Sequence, residues 1–110
     1  MQAQLLPIFP DGSIGFRHQR RLAVRLAVEA ELGQERHLAR LIELSARGAR
    51  LQLALMLRPG DAVKLRRNGV TVCGTVSWAD GATAGIRFVE QMSEEVFLRL
   101  RRATPPTIPV

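Results

Sequence analysis

Apolar and polar side chains alternate along the first long hydrophobic run of the chain. Every second position from Leu22 to Leu32 is apolar, and Arg25, Glu29 and Glu31 lie between them. A period of two places the apolar side chains on one face of a β-strand and the polar ones on the other. The pattern therefore predicts a long, half-buried strand over 22–32.

Further hydrophobic runs, separated by turn signals, predict five more strands. They cover 36–44, 49–55, 62–67, 70–78 and 82–88. Leu38, Ile42 and Leu44 are expected to share one face of the second strand, interrupted by Arg40, and Trp78 is expected to pack a barrel end. Asn68-Gly69 is the clearest turn, because both central residues of a type I′ hairpin turn need positive φ. This spacing is typical of short antiparallel strands joined by hairpins.

The period changes after Phe88, where the sequence predicts one helix. Ser93 is a suitable N-cap, and Glu94 and Glu95 place negative charge in the first turn. Pro105 prevents the helix from continuing. We therefore predict an all-β fold with a terminal helix: a six-stranded antiparallel β-barrel plus a C-terminal α-helix.

The chain of 110 residues suits a single domain. We expect an irregular N-terminal arm over 1–16, the barrel and helix over 17–104, and a tail over 105–110. Basic residues number 16 against 10 acidic ones, which gives a net charge of +6. Since every basic residue except Lys64 is arginine, whose planar fork suits phosphate, an anionic partner is expected.

Composition and motifs disfavour several classes of function. The single cysteine, Cys73, excludes an internal disulfide, and His18 and His37 do not form a metal-ligand cluster. No catalytic motif appears, so we expect a binding domain and not an enzyme, without a metal or cofactor. No apolar run approaches the length of a membrane-spanning helix, and the N-terminus lacks a secretory signal, so we expect a cytoplasmic protein without a membrane partner.

The densest positive cluster lies just before the first strand. Arg17, Arg20 and Arg21 occur in a stretch without acidic residues. Arg17 and Arg21 stand four apart and can take opposite sides of one phosphate. A solvated basic linker is the alternative interpretation of the same residues.

A second segment, Glu43-Leu44-Ser45-Ala46-Arg47-Gly48, ends the second strand. Ser45 offers a hydroxyl at the turn, and Gly48 is expected to adopt positive φ before the next strand. Local turn formation explains this segment without any ligand.

In their order and spacing, the two segments together resemble the PilZ domain family. R-x-x-x-R at 17–21 precedes the first strand, and 43–48 matches the family's [D/N]-x-S-x-x-G except at its first position. The stretches 59–61, 76–78 and 85–88 also resemble the family's barrel strands. The resemblance covers roughly residues 17 to 101 and implies a barrel that binds the bacterial second messenger cyclic di-GMP.

The resemblance also implies which residues contact the nucleotide. They come from the two motifs: Arg17, Arg20, Arg21, Glu43, Ser45, Arg47 and Gly48. Arg17 and Arg21 are the expected clamp for phosphate and guanine, and Arg20 and Arg47 are supplementary contacts.

Glu43 is the departure from the motif, since the family has aspartate or asparagine there. Its side chain is one methylene longer, so the carboxylate must retract, shift the base or point elsewhere. Ser45 is expected to assist at the base edge, and Gly48 to allow close approach of the backbone. Charge and acceptor capacity are retained, which favours a weakened site over an abolished one.

The sequence therefore predicts a cyclic di-GMP receptor that changes its N-terminal arm on ligand binding and signals to a protein partner. The first alternative is a degenerate family member that does not bind nucleotide and acts only in protein–protein interaction, for which Glu43 is the main support. The second is a small-barrel nucleic-acid binder, which the charge of +6 allows. Nucleic acid is disfavoured, because four phenylalanines, one tryptophan and no tyrosine provide few stacking surfaces.

Overall fold

The computed structural model describes residues 21–102. Its elements are β1 (Leu22–Leu32), β2 (Glu35–Leu44), β3 (Gly48–Gln52), β4 (Ala62–Arg67), β5 (Val70–Asp80), β6 (Thr83–Phe88) and α1 (Glu94–Arg101). Arg17, Arg20, the predicted arm over 1–16 and the tail over 105–110 lie outside the described residues. Within the described part, no helix is long and apolar enough to cross a membrane.

The strands form a closed barrel in the order β1-β2-β3-β6-β5-β4, with every neighbouring pair antiparallel. Closure removes the free edges that an open sheet would expose. Where β1 meets β4, Arg66 pairs with Glu29 at 3.7 Å and also with Glu31. The hydrogen bond from Arg66 lowers the pKa of the Glu31 carboxyl below its ordinary value. The predicted six-stranded antiparallel barrel with a C-terminal helix is confirmed.

Aliphatic side chains fill the barrel, and α1 packs against the same core. Leu41 and Leu51 are completely buried, and Leu100 of α1 belongs to the same cluster. Ser93 caps α1, as predicted, because its hydroxyl accepts a hydrogen bond from Val96 N at 3.2 Å. The packed side chains on the inner face of each strand thus give rigid support to the residues on its outer face.

The barrel has three register shifts, and the two on β2 and β5 change which side chains face this core. On β2 the extra residue lies between Leu41 and Glu43, relative to β3. On β5 it lies between Val76 and Trp78, relative to β6. Because an extra residue reverses the inward and outward positions beyond it, Glu43 and Trp78 lie on the outside of the barrel.

Three predicted placements are wrong. Leu38, expected to share a face with Leu44, is 87% exposed while Leu44 is buried, because the bulge on β2 lies between them. Trp78, expected to pack a barrel end, is 41% exposed, because the bulge on β5 turns it to the outside of the barrel. The third strand ends at Gln52 and not at residue 55, because the chain turns where Leu55 N donates to the carbonyl two residues earlier.

The hairpin between β4 and β5 holds the C-terminal end of α1. Asn68 and Gly69 have φ values of 53° and 76°, as the predicted turn requires. Asn68 Nδ2 donates to the Arg102 carbonyl at 2.7 Å, and Arg67 Nε donates to the Leu100 carbonyl at 2.8 Å. These bonds supply donors to carbonyls that the helix itself leaves without partners at its C-terminus.

The substitution Arg67→Met tests this attachment. It removes hydrogen bonds to the carbonyls of Leu100, Arg102 and Ala27, and we expect the free energy of unfolding to fall by about 1 to 3 kcal/mol. The control Arg25→Met replaces an exposed arginine of β1 and should cost less than about 0.5 kcal/mol. Urea unfolding followed by circular dichroism measures both, and equal losses would contradict the role of Arg67.

Candidate ligand-binding site

A cleft of about 390 Å³ lies on the outer face of the barrel, where β3 and β6 pair and β2 and β5 flank them. Its lining combines arginines with small residues and one indole. The lining residues are Arg21, Glu43, Leu44, Ser45, Arg47, Gly48, Ala49, Arg50, Ser77, Trp78, Gly85, Ile86 and Arg87.

Two glycines keep the floor of the cleft free of side chains. Gly48 of β3 pairs with Arg87 of β6, and Gly85 of β6 pairs with Arg50 of β3. A Cβ at Gly48 would lie 2.4 Å from the Ile86 carbonyl oxygen, so only glycine permits this approach. The predicted positive φ at Gly48 is wrong, since the glycines with positive φ among the described residues are found elsewhere in the chain. Close packing of the strands is therefore the reason for glycine here.

Ser45 shapes the turn that leads into β3. Its side chain is buried, and its hydroxyl oxygen accepts hydrogen bonds from the amides of Arg47 and Gly48, both at 3.3 Å. Ser45 N donates to the Gly48 carbonyl at 2.9 Å. The local turn expected for this segment is therefore present, and it holds Arg47 and Gly48 in the lining of the cleft.

Glu43 lies between two arginines at one side of the cleft. Its Oε1 is 3.8 Å from Arg21 Nη1 and 3.6 Å from Arg50 Nη2. The side chain of Arg21 is 70% exposed, whereas that of Glu43 is only 30% exposed. Four arginines and one carboxylate line the cleft among the described residues, so its field is positive and suits an anionic ligand.

Trp78 forms a flat wall on the other side of the cleft. A Cβ at Gly85 would lie 2.1 Å from Trp78 Nε1, so the indole rests directly on the backbone of Gly85. Arg50 lies over the indole, with its Cζ 5.8 Å from the ring centroid. Arg50 thus connects the carboxylate of Glu43 with the aromatic wall.

The structure brings together the predicted site residues that it describes. Arg21, Glu43, Ser45, Arg47 and Gly48 all line the cleft. Sequence reasoning missed Arg50, Trp78 and Arg87. The signal available in the sequence was the stretch Gly85-Ile86-Arg87-Phe88. Its glycine falls opposite the end of the fifth strand, and an aromatic side chain there can cover a glycine.

The comparison with known families follows from this geometry. The family model described as PilZ domain matches residues 16–104, and the chain belongs to the PilZ domain family. PilZ domains are receptor and adaptor domains of the cyclic di-GMP-binding type, and they are not enzymes. No curated protein matches the chain.

Two glycine substitutions test how the floor of the cleft is built. Gly48→Ala places its methyl group against a backbone carbonyl that cannot move aside, and we expect a loss of about 1 to 3 kcal/mol in the free energy of unfolding. In Gly85→Ala the obstacle is the Trp78 side chain, which can swing into solvent, so the loss should be smaller. Urea unfolding measures both losses. A larger loss for Gly85→Ala, or unchanged Trp78 fluorescence in that variant, would contradict the packing described.

Proposed function

We propose that the protein is a cyclic di-GMP receptor and that the nucleotide binds in the cleft. The observation that carries the proposal is the convergence of Arg21, Glu43 and the Ser45–Gly48 turn on one positive cleft of a PilZ domain. No catalytic step is part of the proposal, which assigns the protein the role of sensing the nucleotide.

The chemistry of the nucleotide fits the residues that line the cleft. Cyclic di-GMP carries two phosphates and two guanines, so its site needs cationic forks and hydrogen-bond acceptors. Arg21 acts with Arg17 as the clamp for phosphate and guanine, and Arg20 and Arg47 are supplementary contacts. Arg17 and Arg20 lie outside the described residues, so their part is inferred from the motif.

The second motif supplies the base-edge contacts. Glu43 offers acceptor oxygens to the guanine donors, and Ser45 keeps the turn in place beside it. Because Gly48 has no side chain, the ligand can approach its backbone closely.

Phosphate can compete with Glu43 for its arginines. The Glu43 ion pairs are 3.6 to 3.8 Å long and partly exposed, and such pairs contribute roughly 0 to 1 kcal/mol. Hydrogen bonds to charged groups contribute roughly 1.5 to 3 kcal/mol each. An incoming phosphate therefore gains more from the guanidinium groups than the loss of one ion pair costs.

The signal is proposed to pass through the N-terminal arm. The arm over 1–16 leads through Arg17 and Arg20 to Arg21, which lines the cleft at the start of the barrel. When the nucleotide engages these arginines, the arm changes its position and is read by a protein partner. The proposed site of this signalling is the cytoplasm.

The second candidate function is that of a degenerate family member that does not bind nucleotide, and one observation favours it. Arg21, the described half of the arginine clamp, already has a counter-ion in Glu43, which replaces the aspartate or asparagine of the motif. In such a protein Glu43 occupies Arg21 in place of the nucleotide, and only protein–protein interaction remains. A titration of the wild-type protein with cyclic di-GMP separates the two, since only the receptor binds.

Arg21→Ala tests the clamp. We expect cyclic di-GMP binding to weaken by roughly 2 to 4 kcal/mol, the range of a hot-spot contact, with little change in stability because Arg21 is exposed. Arg25→Ala is the matched control, since Arg25 of β1 is exposed like Arg21 but does not line the cleft. Isothermal titration calorimetry measures both affinities. Unaltered affinity in Arg21→Ala would indicate that the arginines before the first strand form only a solvated basic linker.

Glu43→Asp tests the departure from the motif. The shorter side chain restores the family's reach to the base and draws the carboxylate back from Arg50, so we expect binding to tighten by about 1.4 kcal/mol, or tenfold. Glu43→Ala shows what the carboxylate does: affinity falls if it contacts the base and rises if it only competes with phosphate. Isothermal titration calorimetry of both variants distinguishes these two roles of the carboxylate. If neither change alters affinity while Arg21→Ala does, Glu43 is not part of the site.

A further inference from the structure

Trp78 is the large aromatic surface in the cleft, and the β-bulge exposes it there. It is 41% exposed although it lies near the end of an otherwise regular strand. One side of the indole rests on the backbone of Gly85, which fixes the position of the ring. An indole held flat at the side of a positive cleft is suited to stacking with a nucleobase.

Arg50 covers this indole in the free protein. Its Cζ lies 5.8 Å from the ring centroid. A base inserted between two stacked groups needs about 7 Å, twice the contact distance of carbon atoms. A base therefore reaches the indole at this place only if Arg50 moves away.

The contacts that hold Arg50 in this position are weak. Its Nη2 is 3.6 Å from Glu43 Oε1, and its side chain is 42% exposed. Its Nε is inaccessible to water and has no hydrogen-bond partner among the described residues. Because a buried donor without a partner is unfavourable, a ligand that offers an acceptor to Arg50 in another position favours its release.

We propose that Trp78 stacks with one purine base of cyclic di-GMP and that Arg50 is displaced from the indole when the base arrives. The released guanidinium then contacts the phosphates or the edge of the base. This inference rests on the proposed function and extends it, since neither residue belongs to the two sequence motifs. It gives Glu43 the additional role of holding Arg50 over the indole before binding.

The first experiment uses the wild-type protein, whose only tryptophan is Trp78. Acrylamide quenching of Trp78 fluorescence is measured without ligand and with saturating cyclic di-GMP. A stacked base shields the indole, and we expect the quenching constant to fall at least about twofold. In the free protein, Arg50→Ala should raise the constant, whereas Arg87→Ala, which removes a different arginine of the cleft, should not.

The second experiment compares two substitutions of the indole by calorimetry. Trp78→Leu keeps an apolar side chain on Gly85 but removes the aromatic face, and we expect binding to weaken about tenfold or more. Trp78→Phe retains a stacking ring and should remain within about threefold of the wild type. Leu38→Ala, at an exposed position that does not line the cleft, is the control for unchanged affinity.

The outcomes distinguish this inference from the proposed function. If the wild type binds cyclic di-GMP but Trp78→Leu binds equally well and quenching does not change, the stacking role is wrong and the receptor function stands. An unchanged quenching constant in free Arg50→Ala would overturn the covering role of Arg50. If the wild type binds no cyclic di-GMP, both the receptor function and the stacking role are wrong.

Discussion

The bulges on β2 and β5 determine which side chains reach the outer face of the barrel beside Gly48 and Gly85. Each inserts one residue into a strand whose neighbour remains regular, so the alternation of inward and outward positions reverses beyond it. Without the reversal, Glu43 would follow Leu41 into the core, and Trp78 would follow Val76. The cleft depends on this constraint, because it places a carboxylate on one side and an indole on the other.

Arg50 joins the two sides of the cleft. It lies between the Glu43 carboxylate and the Trp78 ring, and it projects from β3 directly opposite Gly85. The aliphatic core beneath, which includes the completely buried Leu51, holds β3 in place. The free protein thus has a rigid floor and a set of arginines that weak, partly exposed contacts position, an arrangement in which an anionic ligand can reorganise side chains without disturbing the barrel.

Much of the fold could be predicted from local sequence patterns. Strict alternation identified β1, and Asn68-Gly69 identified the hairpin that also holds α1. The bulges leave no comparable local signal, because they are defined by pairing with a strand distant in sequence. The placements of Leu38 and Trp78 were wrong for that reason. Arg50 was missed because a basic residue between apolar ones is also typical of a solvated strand face.

The central claim is that cyclic di-GMP binds on the outer face of β3 and β6, between the ends of β2 and β5. A titration of the ¹⁵N-labelled protein with cyclic di-GMP, followed by amide chemical shifts, tests it most directly. The account predicts the largest changes within 43–50 and 77–87, including the amides of Gly48 and Gly85. Changes concentrated on α1 or around Leu38, or no changes at all, would contradict it.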